Sequence, residues 1–181
     1  MIMNCDDAEK LAVLNAAAAM CAAARTAPKA CGVDHIVTAI LSGDEMLKVA
    51  DEMDKISREF NNPIFHRDAE NVRASAALVL IGAKEGTRGL NDFCRLCHFK
   101  DCADMLRNNA CCVYDPMDLG IAVGSAVSIA ADRRIDNRVF FTAGKAASRL
   151  GLLGEAKLIM GIPLAVAGKS PFYDRERRKA D

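Results

Sequence analysis

Five of the eight cysteines in this chain fall between Cys94 and Cys112. They run Cys94-Arg-Leu-Cys97-His-Phe-Lys-Asp-Cys102 and, after eight more residues, Cys111-Cys112. Thiolates are soft donors that select transition metals, and three of them so close together can wrap one side of a metal centre. Iron–sulfur clusters take four thiolates. The spacing C-x2-C-x4-C-x8-C-C therefore points to Cys94, Cys97, Cys102 and one of Cys111 or Cys112 as ligands, with a [4Fe–4S] core favoured. A core of this kind is anionic overall once four thiolates hold it, and Arg95 and Lys100 stand between the ligands as charge compensation. Asp101 can cap a helix over 101–109, whose first N–H groups would point at the same anionic volume. Zinc is the alternative metal. Structural zinc sites, however, pair two short C-x2-C or C-x2-H knuckles, and the second half of this segment has none. A dithiol–disulfide switch at Cys94 and Cys97 would leave Cys102 and the vicinal pair without a role. His98, inside the loop, reads as a hydrogen-bond donor. Cys5, Cys21 and Cys31 follow the apolar periods and read as core-filling or incidental.

Composition bounds what such a centre can serve. The chain has 181 residues, 51% of them hydrophobic, with 24 Lys+Arg against 24 Asp+Glu. That is one domain, long enough to bury a core without covalent staples. The apolar share excludes an intrinsically disordered chain, and the balanced charge argues against a nucleic-acid partner. The apolar stretch 11–24 follows Asp6, Asp7 and Glu9, whereas a secretory signal opens with positive charge. The run from Leu119 to Ala131 is too short to span a bilayer as a helix. The expectation is a cytoplasmic protein with no membrane partner, in a compartment where close-set cysteines are ligands more often than disulfides.

The elements that must position the cysteines follow from periodicity. The alanine-rich segment to Arg25 is expected to be helical, with acidic residues at its start and Arg25 at its end, as the helix dipole favours. The run 35–41 reads as a buried strand opened by a core histidine, His35. Helical spacing returns over 44–60, with Met46, Leu47, Ala50, Met53 and Ile56 on one face. Asn61-Asn62-Pro63 ends that helix and leaves His66 in a polar, solvated loop. The run 76–83 is a second buried strand. Residues 91–115 form a cysteine-rich insertion. A small-residue helix covers 118–132, where Gly120 and Gly124 admit close approach of another backbone; a helix covers 142–153; and a strand covers 157–166, interrupted at Pro163. The charged tail 174–181 is expected to be solvated. Helices flank a buried sheet, which makes the chain α+β in a single domain, 1–181. The glycines between Gly82 and Gly89 have no dinucleotide or P-loop spacing.

Several stretches carry a resemblance: ARTAPKACGVDHI (24–36), the cysteine loop, DLGIAVGSAVSIAAD (118–132), DNRVFFTAGKAASRLGLL (136–153) and GIPLAVAGKSPFYDR (161–175). In these the chain resembles a prokaryotic family of uncharacterised proteins with a ferredoxin domain. That family's loop reads Cys-Gly-x-Cys-Gly-Phe, so Arg95 and His98 stand where it has glycines. The resemblance implies an iron–sulfur site, with Cys112 rather than Cys111 as the fourth ligand. In order of elements the chain is also similar to FMN-dependent nitroreductases. That likeness implies FMN as a further cofactor and a homodimer built on the helix at 118–132. Arg25 and Lys29 are the nearest basic residues for a flavin phosphate, although the nitroreductases' arginine-rich motif is missing. The expected function is single-electron transfer by an iron–sulfur protein, as a partner of another redox protein or of a small-molecule electron acceptor, or within a flavin-dependent reductase. The alternative is a zinc-stabilised interaction module without catalysis.

Overall fold

Ala77–Lys84 (β2) is the organising strand, since its residues 77–83 are all buried. Alternate side chains leave a strand on opposite faces, and both faces here are apolar. Ala77, Val79, Ile81 and Ala83 enter one core, while Leu78 and Leu80 enter the other. A strand of this kind must be covered on both sides, and the computed structural model, which describes residues 2–91 and 93–173, shows how. Ile36–Leu41 (β1), Ala156–Ala165 (β4) and the two-residue Asp136–Asn137 (β3) complete a sheet of order β1-β2-β4-β3 with every neighbouring pair antiparallel.

One face is covered by Cys5–Thr26 (α1) and Tyr114–Asp132 (α5). Val13, Ala16, Ala17, Met20 and Ala24 of α1 pack with Leu119, Ala122, Ala126 and Ala130 of α5 over the sheet. Small side chains let the two helices lie close, and the Ser125 hydroxyl donates to the Ala23 carbonyl at 3.1 Å. The other face carries Gly43–Glu59 (α2), Pro63–Arg73 (α3) and Phe141–Arg149 (α6). Gly144 of α6 and Gly161 of β4 make this contact close: a Cβ on Gly144 would lie 1.7 Å from the Ile159 carbonyl oxygen. Cys102–Arg107 (α4) belongs to the cysteine segment between β2 and α5.

Four differences from the expected elements have plain causes. Pro63 begins a helix rather than ending one: the Asn62 side chain accepts the Ile64 N–H at 3.1 Å, and Pro63 occupies the first helical position, where its missing N–H costs nothing. His66 therefore lies on α3, hydrogen-bonded to Asp54 at 2.7 Å. Pro163 does not interrupt β4, where it pairs with Leu78. Both Gly161 backbone groups face Phe140, and residues two apart point the same way. The missing Pro163 N–H thus faces the gap between that bridge and β3, where the ladder lacks nothing. Helix α5 starts at Tyr114, four residues early, because Pro116 is tolerated in a first turn. Finally, Gly120 and Gly124 do not face α1, and nothing lies within 4 Å of a Cβ built on either. On α2, Val49 is buried and Leu47 is 39% exposed. The charged tail at 174–181 lies outside the described residues.

Candidate metal and redox site

The cysteine segment leaves the sheet after β2 and returns at the N-terminus of α5, and both ends are held by one buried ionic centre. The Arg88 side chain is 1% exposed, and its Nη2 lies 2.9 Å from both Asp115 and Asp118. Its Nη1 donates to the Gly86 carbonyl at 3.2 Å and to His35 Nδ1 at 3.0 Å. Asp115 also accepts the Gly86 N–H at 3.2 Å, and Asp118 accepts the Ala30 N–H at 3.0 Å. Three segments meet here: the turn before β1, the exit from β2 and the first turns of α5. Burial works against the Arg88 charge, but Asp118 and Asp115 outweigh it and raise its affinity for the proton. His35 Nδ1 lies between the Arg88 guanidinium, at 3.0 Å, and the Asp115 carboxylate, at 3.3 Å. His35 is thus anchored to an ion pair, which differs from an ordinary core histidine. Gly86 is required beside it, because a Cβ there would lie 2.1 Å from the imidazole Cε1.

Cys112, just before α5, lies beside this centre. Cys112 is buried, while Cys94, Cys97, Cys102 and Cys111 are half-buried. Burial pushes the Cys112 thiol up; the Tyr114 backbone N–H pulls against it, Asp115 and Cys102 push it further up, and Arg88 pulls it down. Cys112 therefore faces Cys102, an N–H donor and a buried guanidinium together. The Tyr114 hydroxyl is raised by burial first, then by Cys94, which shares a hydrogen bond with it, and by Cys31 and Cys112. This brings Cys31 to the edge of the cysteine segment, where the apolar-period reading did not place it. Cys31 is exposed with φ 56°, and only its fold partner α5 reveals the proximity. Cys5 is also exposed and Cys21 is half-buried, so neither fills the core fully.

The loop backbone explains a sequence difference noted above. Arg95 (φ 45°) and His98 (φ 66°) both adopt the left-handed conformation, which glycine enters freely and other residues enter at a cost. These are the two positions at which the resembled family carries glycine. Asp101 caps α4 as expected, accepting the Asp104 N–H at 2.7 Å, and Asn91 accepts the Cys102 N–H at 2.7 Å. Two of the first N–H groups of α4 are thereby taken and do not point freely into an anion site. Arg95 and Lys100 are exposed at the surface of the loop.

Three observations bear on which group this donor set fits. Among the described residues, the trio of metal-binding side chains whose donor atoms lie within 4.8 Å of one another is Asp54, His66 and Glu70, and no cysteine belongs to it. A tetrahedral zinc with Zn–S bonds of about 2.3 Å holds its sulfurs about 3.8 Å apart. A cubane interposes its own metal and sulfide atoms and holds its thiolates further apart. Second, Arg88 Nε is buried without a hydrogen-bond partner, a spare donor beside Cys112. Third, the Tyr114 N–H and Arg88 favour the Cys112 thiolate, while burial, Asp115 and Cys102 outweigh them and push the thiol up. The residues fit an iron–sulfur cluster. The Asp54–His66–Glu70 trio is already held by Arg73, which bonds Asp54, Glu70 and Asp51.

Arg25 and Lys29, the basic residues expected nearest a flavin phosphate, are engaged within the chain. Arg25 pairs with Asp34. The Lys29 ammonium, 6% exposed, meets the carbonyls of Ala24, Arg25 and Ala27, which take up its three N–H donors. A separate apolar groove of about 380 Å³ lies between α5, α6 and β4. Pro116, Leu119, Phe141 and Met160 line it, with Lys145 and Lys157 at its margin. Sequence reasoning missed this groove because its walls come from three distant elements. Among the described residues, no helix is long and apolar enough to cross a membrane.

Comparison with known proteins gives the chain's family and fold relatives. Residues 108–175 match the family described as "Uncharacterized protein containing a ferredoxin domain". An uncharacterized protein of Archaeoglobus fulgidus is 40% identical over 187 residues, covering 99% of this chain and all of the relative. Among solved structures, a BluB-like flavoprotein from Clostridium difficile 630 superposes with a TM-score of 0.57 at 16% identity, over 92% of this chain and 83% of that one. The FMN and NADPH-dependent nitroreductase NfnB from Sphigopyxis sp. strain HMH gives a TM-score of 0.56 at 11% identity, over 93% and 86%. The α+β fold is nitroreductase-like.

Proposed function

Because the chain belongs to this family of ferredoxin-domain proteins, we propose that it is an iron–sulfur redox protein whose cluster is held by Cys94, Cys97, Cys102 and Cys112. The observation that carries this reading is the placement of Cys112, a buried thiol whose carbonyl accepts the Asp115 N–H at 3.0 Å at the start of α5 and whose surroundings include Cys102, the Tyr114 N–H, Asp115 and Arg88. A bound cluster, [4Fe–4S] by preference, would supply one-electron chemistry. The chain's own part is to exclude water around Cys112, to offer N–H donors to sulfur, and to fix both ends of the loop through Arg88. Electrons would pass to a redox partner protein or to a small-molecule acceptor.

The nitroreductase-like fold supports FMN as a second cofactor. The groove at Pro116, four residues from Cys112, has apolar walls suited to a planar ring, and the lysines at its margin suit an anion. The exposed face of α5, with Met117, Ile121 and the open Gly120 and Gly124, supports a homodimer.

Anaerobic purification with iron, sulfide, zinc and flavin analysis tests the reading. Brown protein with iron and labile sulfide supports it, and colourless protein with one zinc overturns it in favour of a structural module. Cys102→Ala should abolish the visible absorption, whereas Cys111→Ala should keep it. Flavin released on denaturation supports the reductase form.

A further inference from the structure

The compensating charge for the cysteine centre was expected at Arg95 and Lys100, but both are exposed and screened by solvent. Arg88 is a buried cation whose charge acts on the buried Cys112 thiol, and the Asp115 N–H beside it donates to the Cys112 carbonyl at 3.0 Å. Four of the five Arg88 N–H groups are assigned, to Asp115, Asp118, His35 and the Gly86 carbonyl, and the fifth is buried and unpaired. Guanidinium and two carboxylates together leave one net negative charge in a dry site, where charges act far more strongly than in water. Asp115 and Asp118 lie on the first turns of α5, directly after Cys112 and Tyr114. The position of Cys112 is therefore tied to the same ion pair.

We propose that the Arg88–Asp115–Asp118 centre is the positioning device of the redox site: it holds Cys112 in place and sets the local charge that governs how readily the bound cluster accepts an electron. This rests on the cluster reading given above. Removing one buried negative charge should make reduction of an anionic cluster easier, so the midpoint potential should move to a more positive value. Because the centre is buried, that shift should persist at high salt. Loss of the surface cations should move the potential the opposite way, by less, and the effect should fade as salt rises.

The test compares midpoint potentials of wild type, Asp118→Asn, Arg88→Lys and the double variant Arg95→Met/Lys100→Met, each at low and high ionic strength. The expected result is a positive, salt-insensitive shift for Asp118→Asn. Arg88→Lys, which keeps the charge, should stay closer to wild type than Asp118→Asn. Should Asp118→Asn not fold, Asp115→Asn carries the same expected shift. An unmoved potential in the buried variants, with a larger shift in the surface double variant, overturns the proposal while leaving the cluster intact. Wild-type protein without iron and sulfide overturns the cluster reading itself, and this proposal with it.

Discussion

Substituting Gly144 with alanine should be the most damaging single-methyl change in the chain. The added Cβ would lie 1.7 Å from the Ile159 carbonyl oxygen, 2.5 Å from its carbon and 3.1 Å from the Met160 nitrogen. These are backbone atoms of a central strand, so no side chain can swing away. An ordinary carbon–oxygen contact needs about 3.2 Å, and α6 must therefore retreat from β4 by roughly 1.5 Å. That movement would loosen Ala143, Ala146 and Ala147, all buried in the core shared with α2 and α3. Overpacking costs about 1–3 kcal/mol where neighbours can adjust. With rigid neighbours the expected loss is about 4 kcal/mol, or a melting temperature lower by about 10 °C for a chain of this size. Gly124→Ala is the matched control: it too lies inside a helix, but nothing lies within 4 Å of its Cβ. It should gain about 0.5–1 kcal/mol from helix propensity. Urea unfolding followed by circular dichroism at 222 nm measures both. A Gly144→Ala protein within 1 kcal/mol of wild type would refute the close-contact account of the α6–β4 packing.

Three further outcomes are expected. Replacing Arg95 or His98 by glycine should relieve a left-handed backbone worth about 1 kcal/mol each and slow limited proteolysis of the cysteine segment; unchanged or faster cleavage would count against the strained loop. Gly86→Ala should push the His35 ring off Arg88, with a cost of about 1–3 kcal/mol in urea unfolding, and wild-type stability would show that the ring has room. Burial raises the Asp54 carboxyl, but hydrogen bonds from His66 and Arg73 lower it by more, so its net shift is down. A lowered folded value means that stability is present above the ordinary carboxylate value and is lost as pH falls through the folded one. The stability gap between wild type and Asp54→Asn should thus be full at pH 7 and shrink below about pH 4; a gap that widens with acid would contradict the sign.

The sheet was legible because β2 and β4 are apolar runs too short for helices, and α1 and α5 because small apolar residues repeat over many turns. Helix α3 was hidden because Asn62-Pro63 serves equally as a stop and as a cap followed by a first helical residue, and only the contacts of Phe65, Ala69 and Val72 with the core decide between them. The thiol spacing pointed to the cysteine segment without the fold. Its anchor did not emerge, because Arg88, Asp115 and Asp118 are ordinary charged residues in sequence and become special only when three segments bury them together. Cys31 was missed for the same reason. It lies 63 positions before Cys94, and nothing local to it signals that α5 will carry it there.

The Gly86–Asp115 hydrogen bond and the Arg88–Asp118 pair clamp the two ends of the excursion that holds the cysteines. Closing a loop of about 28 residues costs roughly 3 kcal/mol of chain entropy, and the clamp meets that cost whether or not anything occupies the loop. What lies between the ends is then free to vary. Doubling its length would add only about 0.6 kcal/mol, and none of the sheet register depends on it. The excursion behaves as a cassette: its length, glycine content and spare thiols can drift from one relative to the next while the clamp and the two-sided sheet stay the same.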